Sequence, residues 1–235
     1  MTGASGGLGA VVLPMFLEAG HRVAAVAKKW PRRTASTDDC LVLTADLTDP
    51  AAARDAVKHA LKRFGRIDCL VHLVGTWVEG KPIEATTESM WDQMMDTNAR
   101  AAFHMIREVV RPMRKGGGGR IVVVGSTAAI QPVVTWCAFS ASMGALSALV
   151  QVAAAELRKD RISINLLHPS TINTDFVRAC LGEENAGRWV DPRAMGSLML
   201  WLCSEHGVDV SGSEIAMPGR EQHPSYTWPG VAEGE

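Results

Sequence analysis

Six short runs of β-branched and aliphatic residues punctuate the chain: His21–Ala27, Cys40–Ala45, Asp68–Val74, Arg120–Gly125, Arg161–Leu167 and Ser213–Met217. Most are near-continuously apolar, the pattern of strands covered on both faces. Between them, apolar residues recur at helical spacing over Gly7–Ala19, Pro50–Phe64, Thr87–Arg114, Thr135–Lys159 and Asp191–Cys203. Strands separated by helices predict βαβ units, hence an α/β fold with a doubly wound parallel sheet. No linker divides the chain, because Gly116–Gly119 falls between a helix and a strand and reads as a loop. The pattern therefore predicts one domain over residues 1–235. Pro14 lies beyond the first turn of the first helix, where it is expected to kink the helix or cost about 3 kcal/mol.

Composition narrows the function classes. The 235 residues are 47% hydrophobic and 21% charged, too apolar for a disordered chain. With 24 basic and 25 acidic residues the formal charge is -1, which gives no footprint for nucleic acid. The uncharged stretch from Ile121 up to Glu156 is broken by Gly125, Ser126, Gln131, Pro132, Ser140 and Ser142. It reads as a buried strand and a buried helix, not a membrane span. Met1 is followed directly by a glycine-rich turn, so no signal peptide is expected. Cys40, Cys69, Cys137, Cys180 and Cys203 lack metal-ligand spacing, and a metal-free protein of the reducing cytoplasm is predicted.

The chain opens Met1-Thr2-Gly3-Ala4-Ser5-Gly6-Gly7-Leu8-Gly9 and runs straight into a helix. Glycines at 3, 7 and 9 would let the backbone turn sharply and approach a pyrophosphate at a helix N-terminus. This turn resembles the cofactor turn of the short-chain dehydrogenase/reductase family, and further matches follow in family order. Asp46-Leu47 is similar to the pair that contacts adenine, and His72-Leu73-Val74-Gly75 stands where the family usually has Asn-Asn-Ala-Gly. Asn98 falls on the helix of the active-site asparagine, and Ser126 matches the catalytic serine. Asn165, Pro169 and Thr174 fit the segment Asn-x-x-x-Pro-Gly-x-x-x-Thr, with Ser170 replacing its glycine; Ser211-Gly212 and Pro218-Gly219 resemble the last strand and its flanks. A smaller likeness, in Gly75-Thr76-Trp77 and Pro169-Ser170-Thr171-Ile172-Asn173-Thr174, is to the dihydropteridine reductase-like branch.

The resemblance implies a single Rossmann-type domain with a cofactor half over 1–165 and a substrate-loop segment, last helix, last strand and tail over 166–235. It implies a dinucleotide held by Gly3, Ser5, Gly7, Leu8, Gly9, Asp46, Leu47, Gly75, Pro169 and Thr171, and a small-molecule substrate or ligand. It also implies homodimers or homotetramers through the helices near Ala99–Arg114 and Thr135–Lys159, the second presenting Ala145, Leu149, Val152 and Ala153.

Three departures modify that expectation. The family's proton donor is a tyrosine followed four residues later by a lysine; counted from Ser126, those positions hold Phe139 and Met143. Phenylalanine has no proton to give and methionine no charge with which to lower an acid's pKa, so general acid catalysis worth roughly 10²–10⁴ in rate is missing. Both residues pack comfortably in apolar surroundings, so the helix itself is expected to survive. Second, the family places an apolar strand before the Thr-Gly turn at the sheet centre, and here at most Met1 remains of it. Either the start lies upstream, or the centre of the sheet is short or filled by something else. Third, the strand ending Val26-Ala27 is followed by Lys28-Lys29-Trp30-Pro31-Arg32-Arg33 and no carboxylate. Lys28 and Arg32 suit a 2′-phosphate, favouring NADP over NAD, although a solvated basic loop would read the same.

Other residues are open to two readings each. His72 and His168, near predicted strand ends, are either substitute acids or histidines hydrogen-bonded in place. Trp77, Trp136 and Trp189 are either stacking surfaces for a flat apolar ligand or packing residues, while Trp91 and Trp201 read as core or subunit packing. Cys137 reads as packing. The leading expectation is a short-chain dehydrogenase/reductase-like scaffold with a degenerate active site and a ligand-binding, accessory or non-redox role. The alternatives are an active NADP-dependent oxidoreductase with a substitute proton donor, and a structural subunit.

Overall fold

The computed structural model describes residues 1–31, 34–78, 80–131 and 133–220. Six strands form where the apolar runs lie: β1 (Val23–Ala27), β2 (Cys40–Thr44), β3 (Cys69–His72), β4 (Gly119–Val124), β5 (Ile162–Pro169) and β6 (Glu214–Met217). Every pairing is parallel, in the order β2-β1 and then β3-β4-β5-β6. The two parts are joined by Thr2, which bridges Val26 on one side and His72 on the other. Thr2 donates its N–H to the Val71 carbonyl at 2.9 Å and accepts from the Leu73 N–H at 3.2 Å, while the Val26 N–H donates to the Met1 carbonyl at 2.8 Å. Between β1 and β3 the given sequence contributes the extended residues Met1 and Thr2.

Helices cover both faces. On one side α1 (Gly7–Glu18) and α7 (Pro192–Cys203) pack Val12, Phe16, Met195, Met199 and Leu202 against Val71, Val122 and Leu167. On the other, α2 (Pro50–Phe64), α4 (Ala101–Lys115) and α5 (Cys137–Leu157) pack Val57, Met105, Val109, Leu146 and Val150 against Leu70, Ile121, Val123 and Ile164. The start and end of α2 are set by local chemistry. Asp49 accepts from the Ala51 N–H, Pro50 occupies the first turn, Lys62 and Arg63 sit at the negative end of the dipole, and Gly65 closes it at φ 82°.

Several expectations need correction. The helix expected over Thr87–Arg114 divides into α3 (Glu88–Met94), a π-helical turn Met95–Arg100 and α4. A further helix, α6 (Asp175–Leu181), was not expected; its N-terminus is capped by Thr174, which accepts from the Val177 N–H. Pro14 lies inside α1, as expected, and the helix runs through it. Pro14 and Ala10 face solvent, so the carbonyl left without an amide partner is on the wet side of the helix. Ala153 turns into the core rather than outward. Trp91 and Trp201 are exposed by 42% and 45%, which excludes core packing, whereas Trp189 is buried. α5 is long and apolar enough to cross a bilayer, but its Ala138, Met143, Leu146, Val150 and Leu157 are buried inside the protein.

Candidate cofactor and substrate site

The C-terminal ends of the strands, where ligands bind in open α/β sheets, bring most of the expected site residues together. Gly3 has φ 69°, and a Cβ there would fall 2.7 Å from the Leu73 carbonyl carbon. The glycine turn therefore lies against the chain leaving β3, an approach that only glycine permits. A Cβ at Gly9 would fall 2.4 Å from the Gly3 carbonyl oxygen, and one at Gly7 2.8 Å from Cβ of Thr174. So the turn is folded tightly on itself and meets the segment after β5. Gly6 precedes α1 without a side-chain cap, and the first turn of α1 carries no acidic residue. Its amides, including those of Leu8 and Gly9, remain available to an anion. The Ser5 hydroxyl is committed elsewhere, donating to the Lys29 carbonyl at 2.7 Å.

Beside the turn, a cavity of about 60 Å³ is lined by Ala27, Lys28, Asp46, Leu47, Val74 and Thr97, among others. Lys28 and Asp46 form an ion pair at 2.7 Å across it. That hydrogen bond, with those from Thr48, holds the Asp46 carboxyl below its ordinary pKa. Leu47 is buried beneath, and its carbonyl accepts from His104 at 3.0 Å. The features fit a dinucleotide: a slot between two strand ends for a flat base, a cation and a carboxylate at its lip, and free helix amides beyond. Arg32 and Arg33 lie outside the described residues.

Asn98 is wholly buried in the π-helical turn. Its Oδ1 accepts from the Thr76 N–H at 2.8 Å and its Nδ2 donates to the Ser142 Oγ at 2.9 Å; Ser142 in turn donates to the Phe139 carbonyl at 2.7 Å. This chain ties the Gly75-Thr76-Trp77 loop to α5. Ser126, at the end of β4, accepts from the Ala128 N–H at 3.2 Å, which leaves its hydroxyl proton to donate to a ligand oxygen. Phe139 stands edge-on to Trp136 at 5.7 Å, and Trp136 packs on Trp77 at 5.3 Å. Met143 is buried in the same apolar cluster as Val123 and Leu146. Thr135, just before this aromatic group, has φ 69°, a conformation costly for a β-branched residue. Its carbonyl accepts from the Lys81 N–H at 2.9 Å, and its neighbour Cys137 meets the Thr86 hydroxyl at 3.2 Å, so the strained turn clamps the two loops together.

Neither histidine points toward this space. His72 is fully buried, with Nδ1 on the Thr2 hydroxyl at 2.9 Å, and burial drives its pKa down to about 3. His168 is also fully buried, with Nδ1 on the Ser126 carbonyl at 2.8 Å and Nε2 on the Glu214 carboxylate at 3.0 Å. Burial raises the pKa of Glu214, but hydrogen bonds from Ser147, Gln151 and His168 outweigh it and leave the carboxyl below its ordinary value. After β5, the Pro169 strand end pairs with Met217, the Thr171 carbonyl accepts from the Val190 N–H at 2.8 Å, and Ile172 bridges Val190. Four residues important to this geometry escaped sequence reasoning: Thr2, Thr135, Ser142 and Glu214. Their partners lie far along the chain, and none carries a local signal beyond its polarity in an apolar run.

The parallel sheet, the glycine turn at its C-terminal edge and the serine and asparagine beside it define a dinucleotide-binding α/β protein of the reductase type. The model of the short chain dehydrogenase family matches residues 1–185, and the chain belongs to that family. Among curated relatives it is 26% identical over 238 residues to the A-factor type gamma-butyrolactone 1'-reductase (1S-forming) of Streptomyces virginiae, covering 93% of each chain. It is 31% identical over 184 residues to the cyclopentanol dehydrogenase of Comamonas sp. (strain NCIMB 9872), covering 74% of this chain and 73% of that one. The fold superposes on levodione reductase with a TM-score of 0.84 at 22% identity, over 93% and 94% of the two chains. It matches the NADH complex of the 3-ketoacyl-(acyl-carrier-protein) reductase of Brucella melitensis equally well, with a TM-score of 0.84 at 23% identity over 92% and 94%.

Proposed function

We propose that this chain binds NADP(H) on the glycine turn and holds an apolar small molecule beside Trp77 and Trp136, without the proton transfer that the tyrosine–lysine pair supplies in the family. One observation carries the reading: Phe139 and Met143 occupy those two positions, one in an aromatic group with Trp136 and the other buried among Val123 and Leu146. Bound NADPH would supply a hydride. The chain's own residues bind and orient: helix α1 amides and Lys28 for phosphates, Asp46 for the adenosine end, and Ser126 as a hydroxyl donor to a ligand oxygen. A developing oxyanion beside Phe139 would find no acid. The alternative reading, an active reductase with a histidine as substitute donor, is disfavoured by the burial of His72 and by the engagement of both ring nitrogens of His168.

Phe139→Tyr with Met143→Lys tests this directly. The wild type is expected to bind NADPH in calorimetry yet reduce no member of a carbonyl panel. The double variant gains measurable reduction, and neither single variant suffices, since tyrosine without the ammonium keeps a pKa near 10. Wild-type turnover with NADPH on the order of 1–10³ s⁻¹ would refute the proposal. Assembly as a cytoplasmic homodimer or homotetramer belongs to the same reading; it is supported by Phe103 on α4 and Val152 on α5, which are 43% and 57% exposed. Sedimentation as a pure monomer at micromolar concentration would exclude it.

A further inference from the structure

Two cysteines that are 134 residues apart in sequence meet at the edge of the sheet opposite the glycine turn. Cys69 opens β3 and Cys203 closes α7. The Cys69 thiol donates to the Cys203 carbonyl at 3.5 Å, and the Cys203 thiol donates to the Cys69 sulfur. Both belong to the apolar cluster that includes Val71, Met199 and Leu202. Cys203 is buried in it, whereas Cys69 is only partly covered.

The surroundings give the two sulfurs different chemistry. Parallel pairing sets Arg120 of β4 directly across from Cys69, as it sets Val122 across from Val71. Val71 and Val122 both face α7, so the residues two positions before them project to that side as well. The Arg120 Nε is buried and has no hydrogen-bond partner among the described residues. An anion on Cys69 would give that side chain a counter-charge. The hydrogen bond from Cys203, helped by Arg120, holds the Cys69 thiol below its ordinary pKa against burial and the Asp68 carboxylate. Cys203 moves the other way, since it donates in that bond and is buried. Cys69 is therefore the better nucleophile, and Cys203 stands behind it as a protonated reserve.

The other cysteines are out of reach. Cys40 is on β2, which pairs with β1, and Thr2 separates β1 from β3. Three strand spacings, about 14 Å, lie between β2 and β3, twice the span that a disulfide bridges. Cys137 meets Thr86 on the face covered by α5, and Cys180 is exposed on α6.

We propose that Cys69 and Cys203 form a hydroperoxide-reactive dithiol whose oxidation fastens α7 to β3 by a disulfide. The Cys69 thiolate attacks one oxygen of the hydroperoxide, the O–O bond breaks, and Cys69 becomes a sulfenic acid while the other oxygen leaves as an alcohol or water. The Cys203 sulfur then attacks the Cys69 sulfur. Its proton departs with the hydroxyl as water, and the S–S bond forms. Two thiols lose two electrons and one hydroperoxide gains them. The buried Cys203 meets no oxidant first, so the order is set by exposure as well as by charge. The link lies at the strand starts, so it leaves the glycine turn untouched and does not depend on what that turn binds.

The test exposes the full chain to hydrogen peroxide, then blocks free thiols and maps the digested chain by mass spectrometry. Cys69 is expected joined to Cys203 with the loss of two hydrogens, and dithiothreitol should reverse the link. Cys69 should react about tenfold or more faster than the exposed Cys180. The joined form should melt about 5–10 °C higher, because the cross-link constrains the unfolded chain. Cys203→Ser should stop at a sulfenic acid on Cys69 that dimedone captures, and Cys69→Ser should leave Cys203 unoxidised. Equal rates at Cys69 and Cys180, a link from Cys69 to Cys40, or wild-type Cys69 passing to sulfinic acid without a disulfide would each overturn the proposal. A joined form that melts no higher than the reduced one would overturn the fastening of α7.

Discussion

His72 makes the fold sensitive to acid in a way that can be worked out beforehand. Its ring is fully buried at the end of β3, with Nδ1 held by the Thr2 hydroxyl at 2.9 Å and Nε2 lacking a hydrogen-bond partner among the described residues. Burial, reinforced by the positive Met1 amine, lowers its pKa from 6.5 to about 3. The folded chain therefore keeps this ring neutral at pH 5, where the unfolded chain protonates it. The unfolded state binds the extra proton, so stability is intact above pH 6.5 and falls as pH drops toward about 3. Each pH unit in that window costs about 1.4 kcal/mol, so moving from pH 6.5 to 5 costs about 2 kcal/mol. That is a large part of a domain's usual margin of about 5–15 kcal/mol.

The assay is urea unfolding at pH 7, 6, 5 and 4, on the wild type and on His72→Asn, whose amide can still meet the Thr2 hydroxyl without titrating. A loss of about 2 kcal/mol corresponds to a urea midpoint lower by roughly 1 M. Other groups titrate in the same range, including the Met1 amine, so the informative quantity is the difference between the two chains. That difference should shrink steadily below pH 6.5 as the wild type loses stability faster. Parallel loss in both chains would show that His72 does not hold its neutral form in the fold.

Two further outcomes follow from local geometry. Gly9→Ala places a methyl 2.4 Å from the Gly3 carbonyl oxygen and should cost about 1–3 kcal/mol or more by overpacking, whereas Gly144→Ala in α5 meets nothing within 4 Å and should gain about 0.5–1 kcal/mol; the two urea midpoints, moving in opposite directions, check both. Lys28→Ala removes the cation at the lip of the cavity beside Asp46 and frees Asp46 from its partner at 2.7 Å. NADPH affinity should fall about 10- to 100-fold, with NADH affinity nearly unchanged, because a charge-assisted hydrogen bond to a phosphate contributes about 1.5–3 kcal/mol; equal losses for the two cofactors in calorimetry would remove Lys28 from the phosphate site.

The strands were legible because burial on both faces leaves a mark in consecutive residues, as in Ile121, Val122 and Val123, and in Leu166 and Leu167. Helix α2 was legible to the residue because Asp49-Pro50 and Gly65 act on backbone groups next to them. What remained hidden depends on distant contacts. The π-helical turn at Met95–Arg100 sits where Asn98 is drawn between Thr76, 22 residues back, and Ser142, 44 residues ahead. No local propensity encodes that. The pairing of His168 with Glu214 spans 46 residues, and it turned a candidate acid into a strut under Ser126. Helix α6 escaped because its seven residues include none that is buried and so carry no core-facing stripe.

The wiring of the site bears on how a family scaffold can lose its acid and keep its shape. Among the described residues, the hydrogen bonds that join α5 to the rest of the site link Ser142 to Asn98, Ser147 and Gln151 to Glu214, and Cys137 to the Thr86 hydroxyl. None of these contacts passes through the side chain at 139 or at 143. A tyrosine there would add one hydroxyl beside Trp136, and a lysine in place of Met143 would put an ammonium among Val123 and Leu146. The second change is the costly one, since a buried cation without a carboxylate or a cofactor hydroxyl is poorly solvated. Met143→Lys alone should therefore lower stability, and saturating NADPH should restore part of the loss if the ammonium finds the cofactor, by binding only the folded state. Restoration by NADPH of Met143→Lys beyond that of the wild type would place position 143 at the cofactor. An identical NADPH-induced shift in both chains would mean that the side chain at 143 faces the core alone, and the double variant could then not recover the chemistry.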